Sequence, residues 1–122
     1  MALLLVAATL VLCRHEGKRV QERRSRSVLW LNEHSSEVRC INNLRQIENA
    51  KESYAAACSL TNGTSLAEAD VQNLGTYIKG GWANLSCTTG ATYAVGLIGK
   101  DPSCSVHGTL TMLSEALRRR KP

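Results

Sequence analysis

Apolar side chains recur in the first half of the chain at the steps of three and four residues that one face of a helix requires. Residues 14–58 contain no proline and one glycine, Gly17, and the positions opposite the apolar ones carry mostly Asn, Gln, Arg and Glu. This pattern predicts a long N-terminal amphipathic helix. Its apolar face is predicted to serve in assembly and consists of Val38, Ile41, Leu44, Ile47 and Tyr54.

A second, shorter helix is predicted in the following segment. Ser65 and Glu68 have the spacing of a capping box, in which the serine caps the first turn and the glutamate reaches back to it. A helix of about a dozen residues is expected to follow and to end at Gly80-Gly81, because glycine commonly terminates helices.

Short elements separated by turn residues are predicted for the rest of the chain. They are a strand at 91–98, a turn at 99–102, a returning strand at 103–107 and a short helix at 109–117. The predicted fold class is therefore α+β: a long N-terminal amphipathic helix with a short second helix and a small antiparallel β-hairpin.

The chain begins with an apolar segment, since residues 2–13 carry no charge. A helix of this length spans about 18 Å, less than the roughly 30 Å of a bilayer core. An incomplete or marginal membrane helix is favoured, and a cleaved signal stays open as the alternative. The positive-inside rule would place the basic residues that follow in the cytoplasm, which conflicts with a disulfide-bonded head outside it.

Composition and charge divide the chain into four regions and narrow the choice of partner. The net charge of +5 is concentrated beside the apolar segment and at the C-terminal end, which fits anionic lipid better than nucleic acid. Aromatic residues, which single-strand binders need, make up only 4%. The predicted regions are a membrane anchor or signal-like segment at 1–13, a basic helical stalk or linker at 14–38, the head at 39–117 and a basic tail at 118–122.

The five cysteines suggest one covalent link. Cys87 and Cys104 bracket the predicted hairpin, and a disulfide there would stabilise the small head by about 3 kcal/mol in an oxidising compartment. A metal site could instead use these two cysteines and His107, but with three ligands in view and no fourth, we expect no metal. Cys40 is expected to be a small buried apolar residue, and Cys58 to end the helix or bond to another chain.

No motif in the sequence indicates catalysis. The three histidines are scattered, no serine or cysteine stands at a nucleophile elbow, and the acidic residues are not paired for acid–base work. Gly80-Gly81 is predicted to follow a helix instead of opening one, so it does not read as a phosphate loop. We expect no enzymatic activity, no cofactor and no small-molecule substrate.

Several short strings occur in a fixed order between about residues 39 and 110. They are Cys40-Ile-Asn-Asn-Leu-Arg-Gln-Ile47, Tyr77-Ile-Lys-Gly-Gly81, Cys87, Gly90, Thr92-Tyr93, Gly96, Pro102 and Cys104-Ser105. Together they resemble bacterial type II secretion pseudopilins and related type IV pilin-like proteins. Two positions depart from the usual pattern: Thr88 follows Cys87 where relatives often have proline, and His107-Gly-Thr-Leu110 stands where they often have Gly-His-Thr-Leu.

The resemblance implies a non-catalytic, membrane-anchored structural subunit in, or derived from, a secretion pseudopilus or pilus-like assembly. It implies a single-pass protein of the bacterial inner membrane, with its head in the periplasm or outside the cell. Its partners would be membrane lipid and other pilin-like subunits, contacted through the N-terminal helix. The family's Gly-Phe-Thr-Leu-Ile-Glu processing motif does not occur in this sequence. The alternative is a monomeric membrane-tethered extracytoplasmic binding module.

Overall fold

The chain divides into two compact units, Met1–His34 and Ser35–Lys121. The computed structural model describes residues 19, 22–26, 28–30, 32–88 and 90–121. The apolar segment at 1–13, and with it the predicted anchor, lies outside the described residues. Among the residues that are described, no helix combines the length and the apolar character needed to cross a membrane.

The first unit is helical where it is described, at 22–26, 28–30 and 32–33. Near its end the rings of Trp30 and His34 stack, with their centroids 4.8 Å apart. The backbone N–H of His34 donates to the carbonyl of Trp30 at 3.0 Å. The part of the predicted stalk that starts at residue 14 and precedes residue 19 lies outside the described residues.

The second unit is built on helix α1, Ser35–Cys58. Glu37 lies in its first turn, where a negative charge complements the helix dipole. The helix stops where Ser59 takes a positive φ of 54°, and Leu60 N–H then donates to the carbonyl of Ala55 at 2.8 Å. The structure thus contains, from Ser35 onwards, the later part of the long helix that the sequence predicts within 14–58.

Helix α2, Glu68–Leu74, begins later than predicted and is shorter. The expected cap at Ser65 is wrong, because Asp70 accepts a hydrogen bond from the N–H of Ala67 at 2.9 Å and so fixes the first turn there. Two 3₁₀ turns follow, Gly75–Tyr77 and Trp82–Asn84, and the chain reverses between them at Gly80 and Gly81, both of which have positive φ.

A three-stranded antiparallel sheet replaces the predicted two-stranded hairpin. Its strands, in the spatial order β1-β2-β3, are Tyr93–Ala94, Ser103–Cys104 and Gly108–Thr109. Cys104 faces Tyr93 on one side and Gly108 on the other. The first strand is shorter than the predicted 91–98 because Gly96 takes a φ of +73°, which ends the extended conformation.

Helix α3, Leu110–Arg120, closes the unit. The Thr109 side chain caps it by accepting from the N–H of Met112 at 3.3 Å. The helix runs three residues beyond the predicted end at 117, because Arg118–Arg120 form its last turn, where positive charge is favourable. The described part of the basic tail is therefore mostly helical.

The core lies where α1 packs against α2, the first 3₁₀ turn, β2 and α3. One charged side chain is buried there: Lys51 is 1% exposed, and its Nζ donates to Glu48 at 3.3 Å and to the carbonyl of Lys100. The buried apolar residues of this core are Ile41, Leu44, Ile47, Ala50, Tyr54, Ala55, Leu74, Ile78, Val95, Ile98, Leu113 and Leu117.

Candidate metal centre

Four side chains from separate parts of the head converge on one point. They are Cys40, Cys87, Cys104 and His107, and their ligand atoms all lie within 4.8 Å of one another. Cys40 and Cys104 are buried, whereas Cys87 and His107 are half-buried. We refer to this group as the Cys₃His cluster.

Each member of the Cys₃His cluster is positioned by a different local structure. Cys40 lies on the buried face of α1, and Cys104 is on the central strand β2. His107 ends the turn between β2 and β3, where Gly108, with a φ of +89°, lets the backbone reverse. Cys87 lies on the loop after the second 3₁₀ turn. The cluster therefore joins the first helix of the head to its sheet.

The two cysteines of the predicted disulfide are neighbours in the structure, and both are free thiols. Their Sγ atoms are 3.7 Å apart, whereas a disulfide bond is about 2.05 Å long. Nδ1 of His107 lies 3.1 Å from Sγ of Cys87 and 3.7 Å from Sγ of Cys104. The disulfide itself stays a prediction, and the structure brings together more groups than it requires.

The cysteines of the cluster differ in acidity. Burial, together with the nearby sulfur of Cys104, raises the pKa of Cys40 to about 12. Burial also raises the pKa of Cys104, but the backbone N–H groups of His107 and Val106 and the His107 ring outweigh it and bring that pKa to about 7. Cys104 therefore gives up its proton more readily than Cys40, since donors close to a sulfur favour the thiolate.

A second layer of hydrogen bonds surrounds Cys40. The hydroxyl of Tyr93 donates to its Sγ at 3.8 Å. Asn43, which is buried although the sequence places it on the polar side of the helix, donates from Nδ2 to the Tyr93 oxygen at 3.0 Å and to the carbonyl of Ser86 at 2.8 Å. Such second-layer contacts fix the direction in which a ligand atom points.

Three thiols and one imidazole nitrogen form the ligand set of many structural zinc sites. The sequence identified three of these groups and missed Cys40, which was expected to be only a small buried residue. The combination Cys104-x-x-His107 with Cys87 was the available signal. The fourth ligand lies on a helix far upstream, and only the fold brings it to the others.

The residues predicted to form an assembly face lie in the interior of the head. Ile41, Leu44, Ile47 and Tyr54 are at most 8% exposed, and Val38 is half-buried. The rest of the head covers most of this apolar stripe, and its contact with other subunits stays a prediction. The periodicity located a buried face but did not say what buries it.

Comparison with known proteins adds no relative. No protein-family model matches the chain, and neither a curated protein nor a solved structure matches it.

Proposed function

We propose that the chain is a non-catalytic, pilin-like structural subunit, in or derived from a type II secretion pseudopilus or type IV pilus-like assembly. The apolar segment at 1–13 would hold it in the bacterial inner membrane, with the head in the periplasm or outside the cell. The observation that carries the proposal is the architecture of Ser35–Lys121, in which one 24-residue helix forms the spine of a small α+β head.

The positions of the resembling strings support this proposal. The string from Cys40 to Ile47 lies on α1 where that helix enters the core, and Tyr77-Ile-Lys-Gly-Gly81 forms the end of the 3₁₀ turn and the reversal after it. The first string lies on α1 and the second begins in the 3₁₀ turn that packs against this helix, so the two strings belong to elements in contact.

The use of charged groups in the head also supports a structural role. The buried Lys51 pairs with Glu48, Asp70 fixes the start of α2, and Asp101 accepts from the N–H of Thr111 at 2.9 Å. Thr111 donates hydrogen bonds to this carboxylate from its side chain and from its backbone, and the side-chain bond has the larger effect. Together they hold the pKa of Asp101 below its usual value. Each of these groups therefore contributes to holding the elements of the head together.

We assign the contact with neighbouring subunits to the helical residues before Ser35, because the apolar face of α1 is used within the head. Val28 and Leu29 are 56% and 61% exposed there. Exposed apolar side chains on adjacent helical positions suit lateral packing between copies of the same helix. The exposed surface of α3, for example Met112 at 67%, offers a site on the head for comparison.

Cysteine crosslinking in bacterial membranes tests this proposal. In a chain carrying Cys13→Ser and Cys58→Ser, a thiol is introduced by Val28→Cys or, as the matched control, by Met112→Cys. We expect the chain in the membrane fraction, and a covalent dimer on mild oxidation with Val28→Cys but not with Met112→Cys. Recovery in the soluble fraction, or equal crosslinking of the two variants, would contradict the proposal.

The burial of the α1 face favours one alternative, a monomeric membrane-tethered extracytoplasmic binding module. A head that uses its own apolar stripe needs no neighbour to cover it. The same experiment separates the two functions, because a chain found in membranes that gives no dimer from Val28→Cys is the tethered module.

A further inference from the structure

We propose that Cys40, Cys87, Cys104 and His107 bind one zinc ion, and that this ion joins α1 to the sheet of the head. The inference concerns the head alone and does not depend on the proposed function.

Three distances within the cluster are close to those around a tetrahedral zinc ion, and all four ligand atoms lie within 4.8 Å of one another. With Zn–S bonds of about 2.3 Å and Zn–N bonds of about 2.0–2.1 Å, ligand sulfurs lie roughly 3.8 Å apart and a sulfur lies roughly 3.6 Å from the nitrogen. The observed separations are 3.7 Å between the sulfurs of Cys87 and Cys104, and 3.1 and 3.7 Å from these sulfurs to Nδ1 of His107. A single ion therefore fits between the four groups with small adjustments.

A disulfide between Cys87 and Cys104 accounts for fewer of the observations. It would use two of the four groups and would not explain why Sγ of Cys40 and Nδ1 of His107 lie within 4.8 Å of the same two sulfurs. It would also require the two sulfurs to approach from 3.7 Å to about 2.05 Å. A metal ion uses all four groups and requires only small changes in their separations.

The backbone around Cys104 is arranged as a support for a metal-bound thiolate. The turn between β2 and β3 places the backbone of Val106 and His107 next to its sulfur, where their N–H groups favour the thiolate. Together with the Tyr93 hydroxyl at Cys40, two of the three sulfurs accept hydrogen bonds from outside the cluster. Zinc–thiolate sites use such donors to orient the ligands and to spread their charge.

The donor set identifies the metal and its role. Magnesium and calcium require oxygen ligands, whereas a set of three sulfurs and one nitrogen within 4.8 Å of one another favours zinc. All four positions are filled by protein, so no position is left for water or substrate, and the ion is structural. It would supply folding free energy to a head that is small for a stable core.

Metal analysis and cobalt substitution of the full chain test this inference. We expect one zinc per chain by elemental analysis after purification under reducing conditions, and a cobalt spectrum with thiolate charge-transfer bands and tetrahedral visible bands. Cys58→Ser is the matched control, since Cys58 is an exposed cysteine on the same helix as Cys40. It should bind as wild type, whereas Cys40→Ser and Cys104→Ser should lower the affinity at least 100-fold.

A ligand exchange keeps the test decisive if the serine variants do not fold. His107→Cys preserves four ligands and should retain one zinc per chain, with a cobalt spectrum shifted towards that of four thiolates. His107→Asn should lose the metal. A wild-type chain that binds no zinc under reducing conditions, that takes up iron in its place, or that binds zinc equally well after Cys40→Ser would overturn the assignment.

Discussion

The hydroxyl of Tyr93 donates a hydrogen bond to Sγ of Cys40, although the two residues lie on different elements of the head. Asn43, three residues after Cys40 on α1, donates a hydrogen bond to the oxygen of the same hydroxyl. The Tyr93 side chain on the strand thus contacts the sulfur of Cys40 on the helix directly.

Removing the Tyr93 hydroxyl should weaken metal binding without creating a cavity in the head. Tyr93→Phe keeps the ring but deletes the donor to Cys40, and loss of such a second-layer contact typically costs about 10- to 100-fold in metal affinity. We expect that reduction in a zinc competition titration. Tyr77→Phe, in which the ring is 46% exposed, should leave the affinity unchanged. Equal affinities for Tyr93→Phe and wild type would show that the hydroxyl has no influence on the site.

Lys51 should be necessary for stability despite its charge. Lys51→Met retains much of the buried aliphatic length but leaves the carbonyl of Lys100 without its donor and Glu48 without its partner. We expect a loss of about 2 kcal/mol in the free energy of unfolding, the range for a buried polar group that loses its partner. Urea denaturation measures it, with exposed Lys79→Met as the control that should stay within about 0.5 kcal/mol of wild type. A Lys51→Met chain as stable as wild type would contradict this account.

The Asp101 carboxylate should make the attachment of α3 dependent on pH. It accepts from the side chain and backbone of Thr111 in the first turn of α3, and the charge of Lys51 adds to the effect, so its pKa lies below the usual 3.8. Because this pKa is lowered in the folded state, the stabilisation is complete above pH 3.8 and is lost as the pH falls below it.

Asp101→Asn keeps an acceptor oxygen but removes the negative charge near the N-terminus of α3, so it is expected to cost about 0.5 kcal/mol at neutral pH and progressively less in acid. Comparing its denaturation with that of wild type at neutral pH and below pH 3.8 checks the sign. Glu115→Gln, at an exposed position of the same helix, is the control. A difference between Asp101→Asn and wild type that grows as the pH falls would refute the role of this carboxylate.

Two glycines with similar positive φ values should differ in how much their replacement by alanine destabilises the head. Gly63 and Gly99 have φ values of +88° and +80°, so either substitution should cost about 1 kcal/mol or more through the left-handed conformation. A Cβ at Gly63 meets nothing within 4 Å, whereas one at Gly99 lies 2.7 Å from Cγ and Oδ1 of Asn62. Gly99→Ala should therefore lower the melting temperature more than Gly63→Ala, and the reverse order would contradict the described approach of Asn62.

The elements that follow from local periodicity were predictable from the sequence. The step of three and four residues through Ile41, Leu44 and Ile47 identified α1, because a buried helix face imposes that spacing whatever covers it. The strands were predicted less well. Gly96 interrupts the first of them, and the third contains Gly108, which has a low strand propensity and pairs only because the turn at His107 returns the chain to β2.

The candidate metal centre was only partly predictable, since three of its four ligands lie in one stretch of the sequence and the fourth lies far upstream. Cys104 and His107 are close in sequence, and Cys87 belongs to the same stretch, so three ligands were visible. Cys40 was not, because its place on α1 has the same periodicity as the apolar residues beside it. The start of α2 was missed for a similar reason, since Asp70 competes with the more familiar Ser65–Glu68 pattern and wins through its bond to Ala67.

The packing of α1 affects how the nascent chain folds during translation. The ribosome synthesises this helix before the elements that cover it, which extend to Arg120. Until those last residues leave the exit tunnel, the stripe on α1 has no partner within its own chain and invites aggregation. A chain truncated just before Leu110 should therefore aggregate or be degraded by proteases, because it lacks the helix that covers part of α1.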